Sequence, residues 1–286
     1  MADAELTLQE AADLLGVHYM TVYRYVRLGL LPAAKAGGTW RVSRSDLAEF
    51  QSASVRPPVG GGRRRAPWAD RLESRLIAGD SRGSWGVVEA ALAAGADLDE
   101  VYLDILAPAM ASIGSRWSQG ELDVSVEHRA TGIMMRILGR LGPRFVHRGR
   151  TRGAVVIGAP AGERHSLPVA MLADLVRGGG WDVSDLGADV PDVSFVHAAL
   201  NTPDLVAVGV SVTTPECLEP ARSVLSALRE AVSGVMLVVG GGAVRDEAHA
   251  AQLGADGCAR SGRDFVRLLD VHRGDHVTTA GAGTGD

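Results

Sequence analysis

Three uninterrupted apolar runs, residues 154–159, 205–212 and 235–239, alternate with stretches of helical apolar spacing at 167–177, 192–200, 216–231, 246–253 and 263–270. A strand with one wet face alternates apolar and polar residues. A continuous apolar run is instead a strand covered on both faces, and interposed helices are what cover a parallel sheet in that way. Residues 150–271 are therefore expected to form an α/β doubly wound open sheet with the strand order 2-1-3-4-5. Such sheets take ligands beyond the carboxyl ends of their strands, where the winding reverses. Here those ends carry Glu163 and His165 after the first run, Ser211, Val212 and Thr213 after the second, and Gly240, Gly241 and Gly242 after the third. An imidazole on such a loop is placed to reach a bound metal.

A chain of 286 residues exceeds one small core, and what precedes the sheet divides readily. Residues 53–66, with Pro57-Pro58, Gly60-Gly61-Gly62 and Arg63-Arg64-Arg65, have no periodicity and read as a flexible basic linker. From 67 to 145 apolar residues recur at helical spacing, with breaks at Gly79-Asp80, Gly95-Ala96-Asp97 and Gln119-Gly120, which predicts a four-helix bundle. Residues 272–286 have no pattern and are expected to be a disordered tail. Two cysteines exclude a disulfide framework, no apolar run is long enough for a bilayer, and the first residues lack a signal peptide's basic start and apolar stretch. The expectation is a cytoplasmic protein without a membrane partner. The net charge of -5 is unevenly spread: residues 1–65 hold nine Lys/Arg against six Asp/Glu, or +3, and the remainder holds 20 against 28, or -8. Only the front end suits a polyanion.

That front end, residues 1–52, reads as helix, turn, helix and wing. Thr7-Leu8-Gln9-Glu10 is a capping-box start for a helix through Leu15, Gly16 supplies the turn, and Tyr19 to Leu28 makes a second helix. Residues 35–42 have the character of a tight two-stranded wing, and Ser43 with Asp46 starts a short helix through Phe50. The stretch resembles the MerR and excisionase winged helix-turn-helix modules, in which the second helix enters the major groove and the wing meets phosphates. The resemblance implies DNA contacts by Thr21, Tyr23, Arg24 and Arg27 from the helix and by Lys35, Arg41 and Arg44 from the wing region. The alternative is a helical hairpin that packs on something else, with its basic residues merely solvated.

In the bundle, Leu122, Val126, Ala130, Ile133, Ile137 and Leu141 form an apolar stripe, and Glu127 falls at its edge with Met134 and Leu138. A partly buried carboxylate there needs a partner, either a bundle arginine or the hydroxyls of a ligand. His128 lies further round the helix. Trp117, Glu127 and His128 reproduce a Trp-x9-Glu-His spacing that resembles the helical cap of CarH/LitR-type cobalamin-dependent photoreceptor regulators. In the sheet region Glu163-x-His165 resembles the Asp-x-His-x-x-Gly motif of cobalamin domains with a Rossmann-like, flavodoxin-like fold, and Gly187-x-x-x-Pro191 matches their loop after the second strand.

The resemblance implies that His165 is the lower axial ligand of cobalt and that Glu163 orients it. It further implies that Trp117 and Val124 wall the adenosyl group of adenosylcobalamin, with Glu127 and His128 near its polar edge. The nucleotide tail would lie against Ser211, Val212, Thr213, Gly240, Gly241 and Gly242. Two departures stand out: Pro168 takes the place of the motif's final glycine, and Ser118 stands where the family has a histidine that takes the upper cobalt site after illumination. The function implied is that of a repressor, not an enzyme. It would bind adenosylcobalamin in the dark, assemble into a dimer or tetramer on operator DNA, and be switched by light breaking the Co–C bond. Two alternatives remain open. One is a corrinoid methyl carrier, because bundle plus cobalamin sheet also resembles the corrinoid-binding half of methionine synthase; the other is a cobalamin-sensing regulator indifferent to light. Trp117 also has a plain structural reading as packing within the bundle.

Overall fold

The structure is a computed structural model that describes residues 5–15, 22, 26, 31–36, 39–53, 66–146 and 149–281. Its internal contacts separate two units, Met1–Arg65 and Ala66–Asp286.

In the first unit β1 (Glu5–Thr7) leads straight into α1 (Leu8–Leu15). The capping box forms as expected: the Thr7 N–H donates to Glu10 Oε2 at 2.7 Å and the Glu10 N–H to Thr7 Oγ1 at 3.2 Å. β2 (Ala34–Ala36) and β3 (Thr39–Ser43) pair as the wing, and α2 (Arg44–Ala53) starts with Ser43 Oγ accepting the Asp46 N–H at 3.0 Å. The sheet has three strands where the sequence predicted two, in the order β1-β3-β2. The reason lies in Leu6, which β1 turns into the core beside Leu8, Ala11, Val42 and Leu47. Val22 and Val26, one helical turn apart, are helical and buried in the same cluster. The rest of the expected second helix lies outside the described residues, as do residues 54–65 of the expected linker.

The second unit begins with the bundle. Its helices are α3 (Trp68–Ile77), α4 (Ser81–Ala93), a third helix running from α5 (Leu98–Glu100) through a π segment (Val101–Leu106) into α6 (Ala107–Ser118), and α7 (Val124–Leu141). After each predicted break an aspartate caps the next helix: Asp80 accepts the Gly83 N–H, Asp97 the Glu100 N–H and Asp123 the Ser125 N–H. The core collects Leu72, Leu76, Val88, Ile113, Ile133, Met134, Ile137 and Leu141. The π segment has no counterpart in the sequence reading; it buries the adjacent pairs Val101-Tyr102 and Ile105-Leu106, a wider inward face than an α-turn offers.

After a 3-10 turn (Gly142–Phe145), the α/β region follows as β4 (Ala154–Gly158), α8 (Ser166–Gly178), β5 (Asp182–Asp185), α9 (Asp192–Asn201), β6 (Leu205–Ser211), α10 (Leu218–Ala231), β7 (Met236–Gly240), α11 (Glu247–Leu253), β8 (Gly257–Ala259) and α12 (Gly262–Gly281). All strand pairs are parallel, in the order β5-β4-β6-β7-β8, which is the 2-1-3-4-5 winding expected. The apolar runs are buried on both faces. Val156, Val208, Val210 and Val239 pack with Phe195, Leu225 and Leu253 on one side, while Val155, Ile157, Ala207 and Val238 pack with Val176, Phe265 and Leu269 on the other. α8 is shared: Val169 and Val176 face the sheet, whereas Leu167, Met171 and Leu175 belong to the bundle core.

Part of the expected disordered tail is helical. α12 continues to Gly281, because extending a helix from a packed start adds a bond for each residue fixed; residues 282–286 lie outside the described residues. Among the described residues no helix is long and apolar enough to cross a membrane. Ile157→Ala, in the fully buried centre of β4, should lower the unfolding free energy in urea by about 2–5 kcal/mol. Leu200→Ala, on the open side of α9, should change it by no more than about 0.5 kcal/mol.

Candidate functional site

The loop between β4 and α8 places His165 at the N-cap of α8, yet the imidazole does not cap the helix. Its Nδ1 lies 2.5 Å from Glu163 Oε1, which also accepts the His165 backbone N–H at 3.1 Å. The other carboxylate oxygen, Oε2, accepts the N–H groups of Thr213 at 2.7 Å and Thr214 at 2.9 Å and the Thr214 hydroxyl at 3.2 Å. Burial would raise the carboxyl pKa, but the hydrogen bonds from His165, Thr214 and Thr213 outweigh it and hold Glu163 below the usual carboxylate range. The ionised group tolerates complete burial because both of its oxygens are met by donors.

This arrangement fixes the imidazole. An ionised carboxylate only accepts, so Nδ1 carries a proton and Nε2 is the ring nitrogen left for another partner. The ring is 45% exposed, and Nε2 has no partner among the described residues. Among those residues no group of three or more His, Cys, Asp and Glu is disposed to hold a metal ion. His165 could thus offer a metal one nitrogen ligand. Pro168 is compatible with this loop, since it falls in the first turn of α8, where backbone N–H groups have no intrahelical partner.

The remaining strand-end residues converge on the same edge, with distinct duties. Ser211 ends β6 and is buried; Val212 is fully buried in the core and donates its N–H to the Gly240 carbonyl at 2.8 Å; Thr213 reaches Glu163 only through its N–H. A Cβ on Gly240 would lie 2.3 Å from the Ala259 carbonyl oxygen, and one on Gly241, at φ +109°, 2.3 Å from that of Val212. These two glycines are demanded by the protein's own backbone. Gly242 is the open one, with the Thr213 oxygen 3.5 Å from its Cβ position. Thr214 was not among the sequence candidates, and neither was Asp189, whose carboxylate accepts the Gly162 N–H at 2.7 Å and whose own N–H donates to the Glu163 carbonyl at 2.8 Å. Only pairing across loops reveals either residue.

In the bundle Trp117 lies at the end of α6 and Val124 opens α7 after a short turn; they are 43% and 41% exposed. Neither belongs to the bundle's apolar core, and Met135 on α7 is as open at 42%. Glu127 has a structural partner, the Thr131 hydroxyl at 2.7 Å, and lies 3.7 Å from the exposed His128. The Ser118 hydroxyl donates to the Ser115 carbonyl at 2.7 Å. Of the DNA-contact candidates, Arg41 lies in β3 and Arg44 is exposed at the first position of α2, both within electrostatic reach of Glu10. The Lys35 side chain, Thr21, Tyr23, Arg24 and Arg27 lie outside what the structure describes.

The comparisons with known proteins agree with this division. A family described as helix-turn-helix domain matches residues 5–54, and two described as B12 binding domain match residues 68–141 and 153–270. The protein is a cobalamin-binding protein with a DNA-binding helix-turn-helix module. A trimethylamine corrinoid protein of Methanosarcina acetivorans is 31% identical over 186 residues, spanning 63% of this chain and 85% of that one. A corrinoid protein of Desulfitobacterium hafniense is 25% identical over 208 residues, covering 70% of this chain and 95% of its own length. The solved monomethylamine corrinoid protein of Methanosarcina barkeri superposes with a TM-score of 0.61 at 20% identity, covering 71% of this chain and 98% of that one, a likeness of fold. The chain belongs to the family of corrinoid proteins.

Glu163→Gln would turn an amide NH₂ towards N–H donors. Urea denaturation of that variant should show a loss of about 1–3 kcal/mol for each donor left unpaired.

Proposed function

We propose that the chain is a light-responsive transcriptional regulator of the CarH/LitR type. In this reading it holds adenosylcobalamin in the dark, assembles as a dimer or tetramer on operator DNA as a repressor, and releases the DNA on illumination. The observation that carries the reading is the uncovered apolar edge formed by Trp117 and Val124, on a chain whose front segment is a helix-turn-helix module. An exposed indole beside the start of the last bundle helix offers more area to a bulky planar group than to a methyl.

Bound adenosylcobalamin supplies a cobalt–carbon bond that visible light breaks. The chain's own residues do the rest. His165 would hold cobalt through Nε2, Glu163 would fix the ring, and the Ser211–Thr213 and Gly242 edge would receive the nucleotide tail. Trp117 and Val124 wall the adenosyl group, with Glu127 accepting from its ribose hydroxyls and His128 beside it. Ser118 is a poor upper ligand, because its hydroxyl is already committed to the Ser115 carbonyl. Water, or His128 after a shift, would take that place in the light. On the DNA side Thr21, Tyr23, Arg24 and Arg27 read the major groove, and Lys35, Arg41 and Arg44 neutralise phosphates.

A second reading, a methyl carrier, draws on the relatives' names, one of them a dimethylamine corrinoid protein of Methanosarcina barkeri that is 28% identical over 166 residues. The helix-turn-helix segment counts against it, having no use in methyl transfer. A cobalamin-sensing regulator that ignores light is the third.

Offering methylcobalamin and adenosylcobalamin separately, with absorption spectra and size-exclusion elution before and after green light, separates the three. The proposed reading requires preferential retention of the adenosyl form, an irreversible spectral change on illumination and a change in assembly. Retention of the methyl form instead establishes the carrier, and adenosyl binding with elution unaffected by light establishes the light-blind sensor. His165→Ala should alter the dark spectrum, and an unaltered one removes His165 as the cobalt ligand. Arg44→Ala should weaken operator binding evenly across sequences and reduce the slope of log K against log salt by about 1.

A further inference from the structure

Where bundle and sheet meet, the structure buries a polar cluster that has no part in the strand-end site. Tyr102, fully buried in the π segment, donates its hydroxyl to Asp174 Oδ2 on α8 at 2.8 Å. Asp174 Oδ1 receives Arg177 Nη1 at 3.1 Å, and Arg177 Nη2 donates to the Val183 carbonyl of β5 at 3.3 Å. The Tyr102 ring meets Phe145 edge-on, with centroids 4.7 Å apart. Burial first, then the bond to Asp174, push the phenol far above its ordinary pKa, so it remains a donor.

The surroundings are shaped to this pair. A Cβ on Gly142 would lie 3.1 Å from Asp174 Oδ2, and one on Gly178 would lie 2.8 Å from Phe145 Cδ1. Apolar side chains would fill the same space, yet the chain keeps a phenol and a carboxylate inside an interface otherwise made by Leu167, Met171 and Leu175. A buried bond of this kind adds direction where apolar contacts alone permit sliding. Asp174 lies nine residues beyond His165, which holds the N-cap position of the same helix, about 14 Å at 1.5 Å per residue.

We propose that the Tyr102–Asp174 bond is a latch that holds the bundle in one register on α8 and so fixes the Trp117 edge relative to His165. Tyr102 and Asp174 are then positioning residues, touching neither cofactor nor DNA. The inference rests on the reading of Trp117 and His165 as two sides of one cofactor site. A bundle displaced along α8 leaves a phenol hydroxyl and part of a carboxylate without partners in a dry interface, so displacement is penalised.

Hydrogen–deuterium exchange on the full chain without cofactor tests the latch. In Tyr102→Phe, exchange over residues 138–145 and 169–178 should rise about tenfold, while α3, β6 and β7 exchange as in the wild type. Dark release of adenosylcobalamin, read by absorbance, should quicken by a similar factor. Should Tyr102→Phe fail to fold, Asp174→Asn, which weakens the bond to Tyr102 together with the pair to Arg177, should raise exchange in the same two segments. Wild-type exchange there in a folded variant, a rise spread evenly through the unit, or a local rise with unchanged cofactor release each overturns the proposal. A wild-type chain that binds no adenosylcobalamin fails the functional reading alone, and the exchange measurement then decides the latch by itself.

Discussion

The Glu163 carboxylate is the point on which the strand-end architecture turns. It stands fully buried between the loops after β4 and β6, and its two oxygens face different ways: one to the imidazole and backbone of His165, the other to Thr213 and Thr214. Removing the carboxylate would leave those donors facing each other, whereas keeping it charged is affordable only while they remain in place. The imidazole is therefore held by a carboxylate that the sheet's own loops fix in place. Such pre-set geometry lowers the ordering cost of taking up a metal-centred cofactor.

The same helix that starts at His165 makes the second connection. Because α8 offers Val169 and Val176 to the sheet and Leu167, Met171 and Leu175 to the bundle, it belongs to two cores at once. A helix buried on two sides cannot move against one neighbour without disturbing the other. The position of the bundle and the position of the imidazole are consequently mechanically related, with the Tyr102–Asp174 contact as the polar element of that relation.

How much of this is legible in the sequence follows from which interactions are local. The Thr7–Glu10 capping box and the breaks between the bundle helices are read directly, since each is decided within one helical turn, although the aspartate caps that follow those breaks are not. The three inner strands are equally plain, being apolar throughout. β5 is not, because an edge strand of sequence Asp-Val-Ser-Asp carries little burial, and β8 is only three residues long. Of the candidate site, Glu163 and His165 are visible through their spacing, but Thr214 and Asp189 join them only across loops. Gly240 and Gly241 were legible as places of close approach but not as to what approaches, which is protein backbone. Tyr102 and Asp174, 72 residues apart, and the π segment between α5 and α6 leave no periodic trace at all.

Under the proposed reading, the acidic balance of the cofactor-binding segments gives the switch its direction. Residues 1–65 carry +3 and the remainder -8, so a single chain has little electrostatic hold on DNA, and useful affinity has to come from bringing several front modules together. Assembly and cofactor state are then linked in both directions: if intact adenosylcobalamin favours association, association must favour the intact cofactor by the same factor. The only contacts able to supply that difference are those that change when the adenosyl group leaves. In that reading Glu163 and His165 would not meet the adenosyl group, so the discriminating free energy would have to come from the Trp117 edge and from how firmly the bundle is held to α8.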